Sequence, residues 1–71
     1  MDEQKVKNIS KNVAALLEEK GISPKELASI MGVKKGAIED ILGGNMAWIR
    51  SKTIQKLCQA LDCSYEDLIK D

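Results

Sequence analysis

SPKELASIMGVKKGAIEDILGG, residues 23–44, is the most informative stretch of this 71-residue chain. It opens with a capping box, in which the Ser23 hydroxyl accepts a backbone N–H bond and Glu26 reaches back to the Ser23 N–H. Pro24 occupies the first helical position, where its missing N–H is not needed. Gly32 then ends this helix, and apolar residues resume at helical spacing until paired glycines stop the next one. The pattern predicts two short helices joined by a tight turn.

Six positions in this stretch meet the packing demands of a helix-turn-helix. The crossing of the two helices needs a small residue, and Ala28 stands there. Gly32 stands where the turn needs left-handed backbone, which costs other residues energy. The gap beneath the turn is filled by Val33. The other three positions face the core: Leu27, Ile38 and Ile41. These positions predict a helix-turn-helix over about residues 24–43.

Helical patterns continue on both sides of this motif, and no useful stretch alternates as a strand does. We predict a first helix from about Lys5 to Lys20, a third from about Lys35 to Leu42, a fourth from about Ser51 to Leu61 and a short fifth after the N-cap Ser64. Phe is absent, so Ile, Leu, Val, Met and Ala must build the core. We therefore expect an all-α protein with five short helices, forming a single domain over residues 1–71.

Composition argues against several classes of protein. Histidine is absent, which removes the commonest general base and the commonest zinc ligand. The two cysteines, Cys58 and Cys63, have neither a CxxC nor a zinc spacing, so we expect reduced core thiols, with a disulfide as the alternative. We expect no enzyme, no cofactor and no metal site. No apolar run reaches the ~18 residues of a membrane span and the N-terminus is polar, which favours a cytoplasmic protein without a membrane or small-molecule partner.

The net charge of the chain is zero, but basic and acidic side chains are unevenly distributed along it. The sequence has 11 basic and 11 acidic side chains. Residues 34–56 hold five basic side chains against two acidic ones, whereas residues 57–71 hold one against four. A neutral total argues mildly against nucleic-acid binding, but a basic middle and an acidic end make a dipolar surface.

The chain resembles the Cro/repressor-type (XRE-like) helix-turn-helix domain of phage and bacterial regulators. The matching stretches are residues 13–23, 25–28, 31–33, 37–38 and 54–64. The resemblance covers about residues 6–70 and implies a five-helix, double-stranded-DNA-binding domain, usually dimeric, that regulates transcription. Pro24 departs from the Gln that often begins the family's second helix, and Lys34 departs from its usual Ser or Thr cap.

The resemblance implies that residues 35–42 enter the major groove and that ten residues contact DNA. Those at the recognition helix are Lys34, Lys35, Gly36, Ala37, Glu39 and Asp40. Those expected beside the phosphate backbone are Lys25, Asn45, Arg50 and Lys52. Lysines can donate to guanine or phosphate, whereas a carboxylate repels phosphate and can accept from a cytosine amino group.

Three of these residues have a second interpretation. Ala37 either touches a thymine methyl group or packs partly against the core. Asp40 either selects against wrong sequences or forms an ion pair with Arg50 or Lys56. For Glu39, a solvent-facing charge is the favoured interpretation.

Trp48 lies in an apolar run, MAWI at residues 46–49, within an otherwise polar loop. Because Trp is enriched at the centres of interfaces, we predict a dimer contact there, with Tyr65 and Ile69 as further candidates. The alternative is that Ile49 and one neighbour close the core.

Two functions follow from these patterns. The first is a sequence-specific, double-stranded-DNA-binding transcriptional regulator, a repressor acting as a homodimer. The alternative is a protein-interaction module on the same scaffold, such as an antirepressor, with weak or no DNA affinity. Neutral net charge and two carboxylates on the recognition helix favour the alternative, and the basic middle favours the first.

Overall fold

A computed structural model describes residues 3–44 and 46–71, and all regular secondary structure in those ranges is helical. The helices are α1 (Glu3–Lys20), α2 (Pro24–Met31), α3 (Lys35–Gly43), α4 (Ser51–Leu61) and α5 (Tyr65–Ile69). The predicted all-α class and five-helix architecture are confirmed. The predicted bounds of α4 are matched, whereas α1 begins at Glu3 rather than Lys5 and α3 ends at Gly43 rather than Leu42.

Serine capping boxes open α2 and α5. The Ser23 Oγ accepts from the Glu26 N–H at 3.1 Å, and the Glu26 carboxylate accepts from the Ser23 N–H at 3.2 Å. Ser64 and Asp67 make the same reciprocal pair. Because the Ser64 backbone N–H donates to the ionised carboxylate, the pKa of Asp67 is held below its usual value. Both N-caps were predicted from the sequence, and both begin their helices as expected.

The turn between α2 and α3 has the conformation that the sequence predicted. Gly32 adopts left-handed backbone with φ of +70°, and the Val33 N–H donates to the Ala28 carbonyl at 2.9 Å. Val33 is half-buried beneath the turn. The remaining four positions of the motif are buried: Leu27, Ala28, Ile38 and Ile41.

We expect Gly32→Ala to lower the free energy of unfolding by about 1–2 kcal/mol. A Cβ at Gly32 would meet no atom within 4 Å, so the loss comes from backbone strain alone. Gly36 is the matched control, because a Cβ there also meets nothing within 4 Å but the backbone is helical. Gly36→Ala should raise stability by up to about 1 kcal/mol. Urea unfolding measures both changes, and a loss in both variants would contradict this explanation.

One apolar core joins all five helices and the loop before α4. Its buried members are Val6, Ile9, Val13, Leu17, Leu27, Ala28, Met31, Ile38, Ile41, Ile49, Ile54, Leu57, Leu61 and Leu68. They are the residue types that the sequence predicted. From the loop, Ile49 is buried and Met46 packs partly buried against the core, so these two residues close it.

Two buried asparagines of α1 hold the C-terminal end of the chain. The Asn12 Nδ2 donates to the carbonyls of Leu68 and Lys70, both at 2.7 Å. The Asn8 Nδ2 donates to the Ile69 carbonyl at 3.0 Å. The last carbonyls of a helix have no partner within it, so these amides satisfy the end of α5. No pattern in the sequence predicted these hydrogen bonds from Asn8 and Asn12, which we call the asparagine clasp.

Ser10 of α1 holds the end of α3. Its buried hydroxyl lies within hydrogen-bond distance of the Ile41 carbonyl on α3 and of the Val6 carbonyl in its own helix. Gly44 follows α3 with φ of +66°, and a Cβ there would come within 3.4 Å of the Ser10 Oγ. The core side of α3 is therefore anchored, which orients its outer side.

Candidate nucleic-acid interface

The outer side of α3 carries the residues that were predicted to contact bases. Ile38 and Ile41 point into the core, so at about 100° per residue Gly36 lies on the opposite edge, with Asp40 on one side of it and Glu39 on the other. All six predicted residues are exposed: Lys34, Lys35, Gly36, Ala37, Glu39 and Asp40. Because Gly36 has no side chain, the Glu39 and Asp40 carboxylates are the prominent groups on the outer side, and Asp40 is the one that borders the groove towards the loop.

The two carboxylates of α3 have different surroundings. Glu39 lies 3.8 Å from the Lys35 ammonium, with both side chains about 60% exposed. Within residues 3–44 and 46–71, no basic side chain comes within ion-pair distance of Asp40. The alternative that Asp40 pairs with Arg50 or Lys56 is therefore wrong. Asp40 presents an unneutralised carboxylate to solvent, whereas Glu39 is a solvent-facing charge paired along the helix.

Basic residues without a side-chain cap begin both α3 and α4. Lys34 precedes α3 and Arg50 precedes α4, each with extended backbone and no capping hydrogen bond from its side chain. The first N–H groups of a helix lack partners within it, and the helix dipole favours an anion there. At α2 and α5 the serine boxes already satisfy part of that need. The starts of α3 and α4 are thus better suited to a phosphate group.

The loop before α4 is continuous with the outer side of α3. One groove, of about 530 Å³, is lined by Met46, Ala47, Trp48, Arg50 and Thr53. A smaller one, of about 140 Å³, runs along α3 past Ala37 and Asp40 and shares Met46 and Thr53 with the first. We call their joint outer rim the α3–loop surface: Ala37, Asp40, Met46, Trp48, Arg50 and Thr53. Met46 and Thr53 were not predicted as parts of this surface, since a lone threonine carries no signal.

The remaining candidates for phosphate contact are dispersed. Lys52 is exposed in the first turn of α4, close in sequence to Arg50. Lys25 is exposed in the first turn of α2. Asn45 lies outside the described residues. Arg50 and Lys52 are therefore the candidates that the structure places at one helix start.

The candidates for dimer contact fall on two separate surfaces. Tyr65 is 43% exposed and borders a groove of about 700 Å³ that includes Ser51, Gln55 and Cys58 of α4; we call it the Tyr65 groove. Trp48 borders the groove that contains Thr53. Ser51 and Thr53 are about 160° apart around the helix axis, so the two grooves lie on opposite flanks of α4. Ile69 is half-buried, one turn beyond Tyr65.

The two thiols are free and half-buried. Burial, followed by the charge of Cys58, raises the pKa of Cys63 to about 11. Cys63 is therefore protonated at neutral pH and is a poor nucleophile. Among the described residues, none of the helices combines the length and the hydropathy of a membrane span.

The chain also matches a known protein family. The family model of the Cro/C1-type helix-turn-helix DNA-binding domain matches residues 12–71. The chain belongs to this family. No curated protein and no solved structure matches it. The family resemblance inferred from the sequence is confirmed, and membership of this DNA-binding family supports binding to double-stranded DNA.

Proposed function

We propose that this domain is a sequence-specific transcriptional repressor that acts in the cytoplasm as a homodimer, with α3 in the major groove. One observation carries the proposal: α3 is anchored on its core side, and its exposed side is flanked by the uncapped basic starts of α3 and α4. Such a helix can present side chains to base edges while phosphates approach the helix starts. A dimer bound in this way represses by excluding other proteins from its site.

The proposed contacts divide into two kinds. Lys34 and Lys35 reach guanine edges or phosphates from the start of α3, and Ala37 and Asp40 face the bases. The residues proposed to contact only the backbone are Lys25, Asn45, Arg50 and Lys52. Gly36 lets the helix approach closely. Contacts with the backbone set the position of the domain, and contacts with bases set its specificity.

Selection of bound sequences from a random duplex pool tests the proposal. We expect an enriched palindrome with half-sites about 10 base pairs apart, since two-fold protein symmetry is mirrored in the site. The alternative function, a protein-interaction module, is favoured by the unneutralised Asp40 and the neutral net charge. It predicts no enriched sequence, and that result would overturn the proposal.

Arg50→Ala and Lys52→Ala should each weaken binding to all duplexes alike. Each loss of a phosphate contact should reduce the slope of log affinity against log salt concentration by about one. Lys70→Ala is the charge-matched control, because Lys70 is exposed beyond α5 in the acidic end of the chain. Binding isotherms at several salt concentrations measure the slopes. An unchanged slope in both variants would remove these residues from the DNA face.

The proposed dimer contact lies at the Tyr65 groove. Tyr65 and Ile69 share one face of α5 at i,i+4 spacing, and Tyr65 borders the groove. A two-fold contact uses one patch on both subunits, so an interface here leaves Trp48 outside it. Dimerisation would set the spacing between the two copies of α3.

We expect Tyr65→Ala to raise the dimer dissociation constant about tenfold or more while the helices persist. Ile30→Ala is the control, because Ile30 is 59% exposed and lines neither this groove nor the α3–loop surface. Sedimentation measures assembly and circular dichroism measures helix content. If the wild-type protein stays monomeric at high concentration, the dimer proposal is wrong.

A further inference from the structure

Trp48 is the most exposed aromatic side chain of the described residues. It is 55% exposed, and the Arg50 guanidinium carbon lies 5.9 Å from the centroid of its ring. Within the described ranges the indole N–H donates to no protein acceptor. The loop therefore presents an apolar ring, a free donor and a cation at one place.

The chemistry of this groove suits a polyanion that also has apolar parts. Among the described residues, the lining of this groove contains one cation and no carboxylate, and Lys52 follows Arg50 in the first turn of α4. Through Met46 and Thr53 the groove continues into the outer side of α3. If α3 enters the major groove of DNA, the DNA strand beside that groove would pass along this continuous protein surface.

We propose that Trp48 and Arg50 together bind the sugar–phosphate backbone of a DNA strand that borders the major groove read by α3. The inference rests on the proposed function and assigns Trp48 to DNA rather than to a dimer. The ring covers the apolar face of a deoxyribose, and its N–H donates to a phosphate oxygen. The same ring holds the Arg50 guanidinium, which then pairs with a phosphate.

A second copy of the chain fits this groove less well. An interface about a two-fold axis at the groove brings two Arg50 guanidinium groups towards each other. Like charges that face each other across an interface weaken association. A DNA backbone instead supplies the opposite charge, so charge complementarity favours DNA as the occupant.

The test uses two readings on the full chain, since Trp48 is its one tryptophan. Anisotropy of a labelled duplex reports whether DNA binds, and Trp48 emission with acrylamide quenching reports whether the ring is covered. We expect quenching to fall severalfold as duplex saturates the protein. If the duplex binds and Trp48 stays as accessible as before, this inference fails while the proposed function stands. If no duplex binds, both fail.

Substitutions measure separately what the Trp48 ring and the Arg50 charge contribute to DNA affinity. Trp48→Leu should weaken binding about fivefold on all duplexes alike, and Trp48→Phe should restore only the part of the loss that comes from the ring, because Phe lacks the indole N–H. Because the ring holds Arg50, the variant carrying both Trp48→Leu and Arg50→Ala should bind more tightly than the product of the single losses predicts. Ile30→Ala, an apolar truncation at a similarly exposed position elsewhere, should leave affinity unchanged. Unchanged affinity in Trp48→Leu, or a blue shift of emission with protein concentration alone, would overturn the inference.

Discussion

Asn12→Leu should remove a large share of the stability of this domain. Leucine nearly matches asparagine in shape, so the main loss is the two donated hydrogen bonds and not a cavity. The carbonyls of Leu68 and Lys70 then lose their 2.7 Å donor at the end of α5. Each carbonyl left without a partner costs about 1–3 kcal/mol where it is buried, so we expect a total of about 2–4 kcal/mol. Domains of this size are stable by roughly 0.05–0.15 kcal/mol per residue, which makes that loss severe.

The adjacent surface position supplies the control for this prediction. Lys11 lies on the same helix and is exposed, so Lys11→Leu adds the same side chain without breaking a hydrogen bond. We expect the free energy of unfolding of Lys11→Leu to lie within about 0.5 kcal/mol of the wild-type value. Urea unfolding followed by circular dichroism measures both variants. Equal midpoints for Asn12→Leu and the wild type would show that the clasp does not stabilise the fold.

Much of the fold could be predicted because its signals are local. Ser23 and Glu26 begin α2, and Gly32 ends it, all within ten positions of sequence. Apolar spacing then indicates which side of each helix is buried, and the structure confirms this for Ile38 and Ile41. These features depend on neighbouring residues and so can be read before the chain is folded.

The asparagine clasp could not be predicted in this way. Asn12 meets Leu68 across 56 positions of sequence, and no local rule pairs them. A signal existed, since Asn8 and Asn12 stand one turn apart beside the apolar stripe of α1. Polar residues there are either exposed or buried with partners, and only the packing of α5 against α1 decides between the two.

In the candidate site, too, features set by local spacing could be predicted and features set by tertiary packing could not. The spacing of α3 predicts that Gly36 and Asp40 point outward, because Ile38 and Ile41 point inward. It does not predict that Trp48 and Tyr65 lie on opposite flanks of α4, because that depends on how the loop enters the helix. It also leaves the partner of Asp40 open, whereas the folded chain gives Asp40 none among the described residues.

Asp40→Asn should therefore strengthen binding to random duplex. It should also reduce the difference in affinity between random duplex and the preferred site. The unneutralised carboxylate on the outer side of α3 repels phosphate on every sequence, and it recovers affinity only where a cytosine amino group is in reach. Asparagine removes the repulsion and much of that selectivity. We expect the loss of discrimination to be about 1–3 kcal/mol. Affinities for both duplexes, measured at one fixed salt concentration, give the difference directly.

Glu39→Gln is the matched control for Asp40→Asn. It also removes one carboxylate from α3, but Glu39 is paired with Lys35 and lies on the flank away from the groove that Asp40 borders. Releasing Lys35 should strengthen binding to the preferred and random duplexes by similar factors, so discrimination stays as it was. If Asp40→Asn also shifts both affinities equally, or changes neither, Asp40 does not face the bases. A weak affinity for random duplex that neither substitution alters is the result expected of a protein-interaction module, because α3 would then never approach DNA closely.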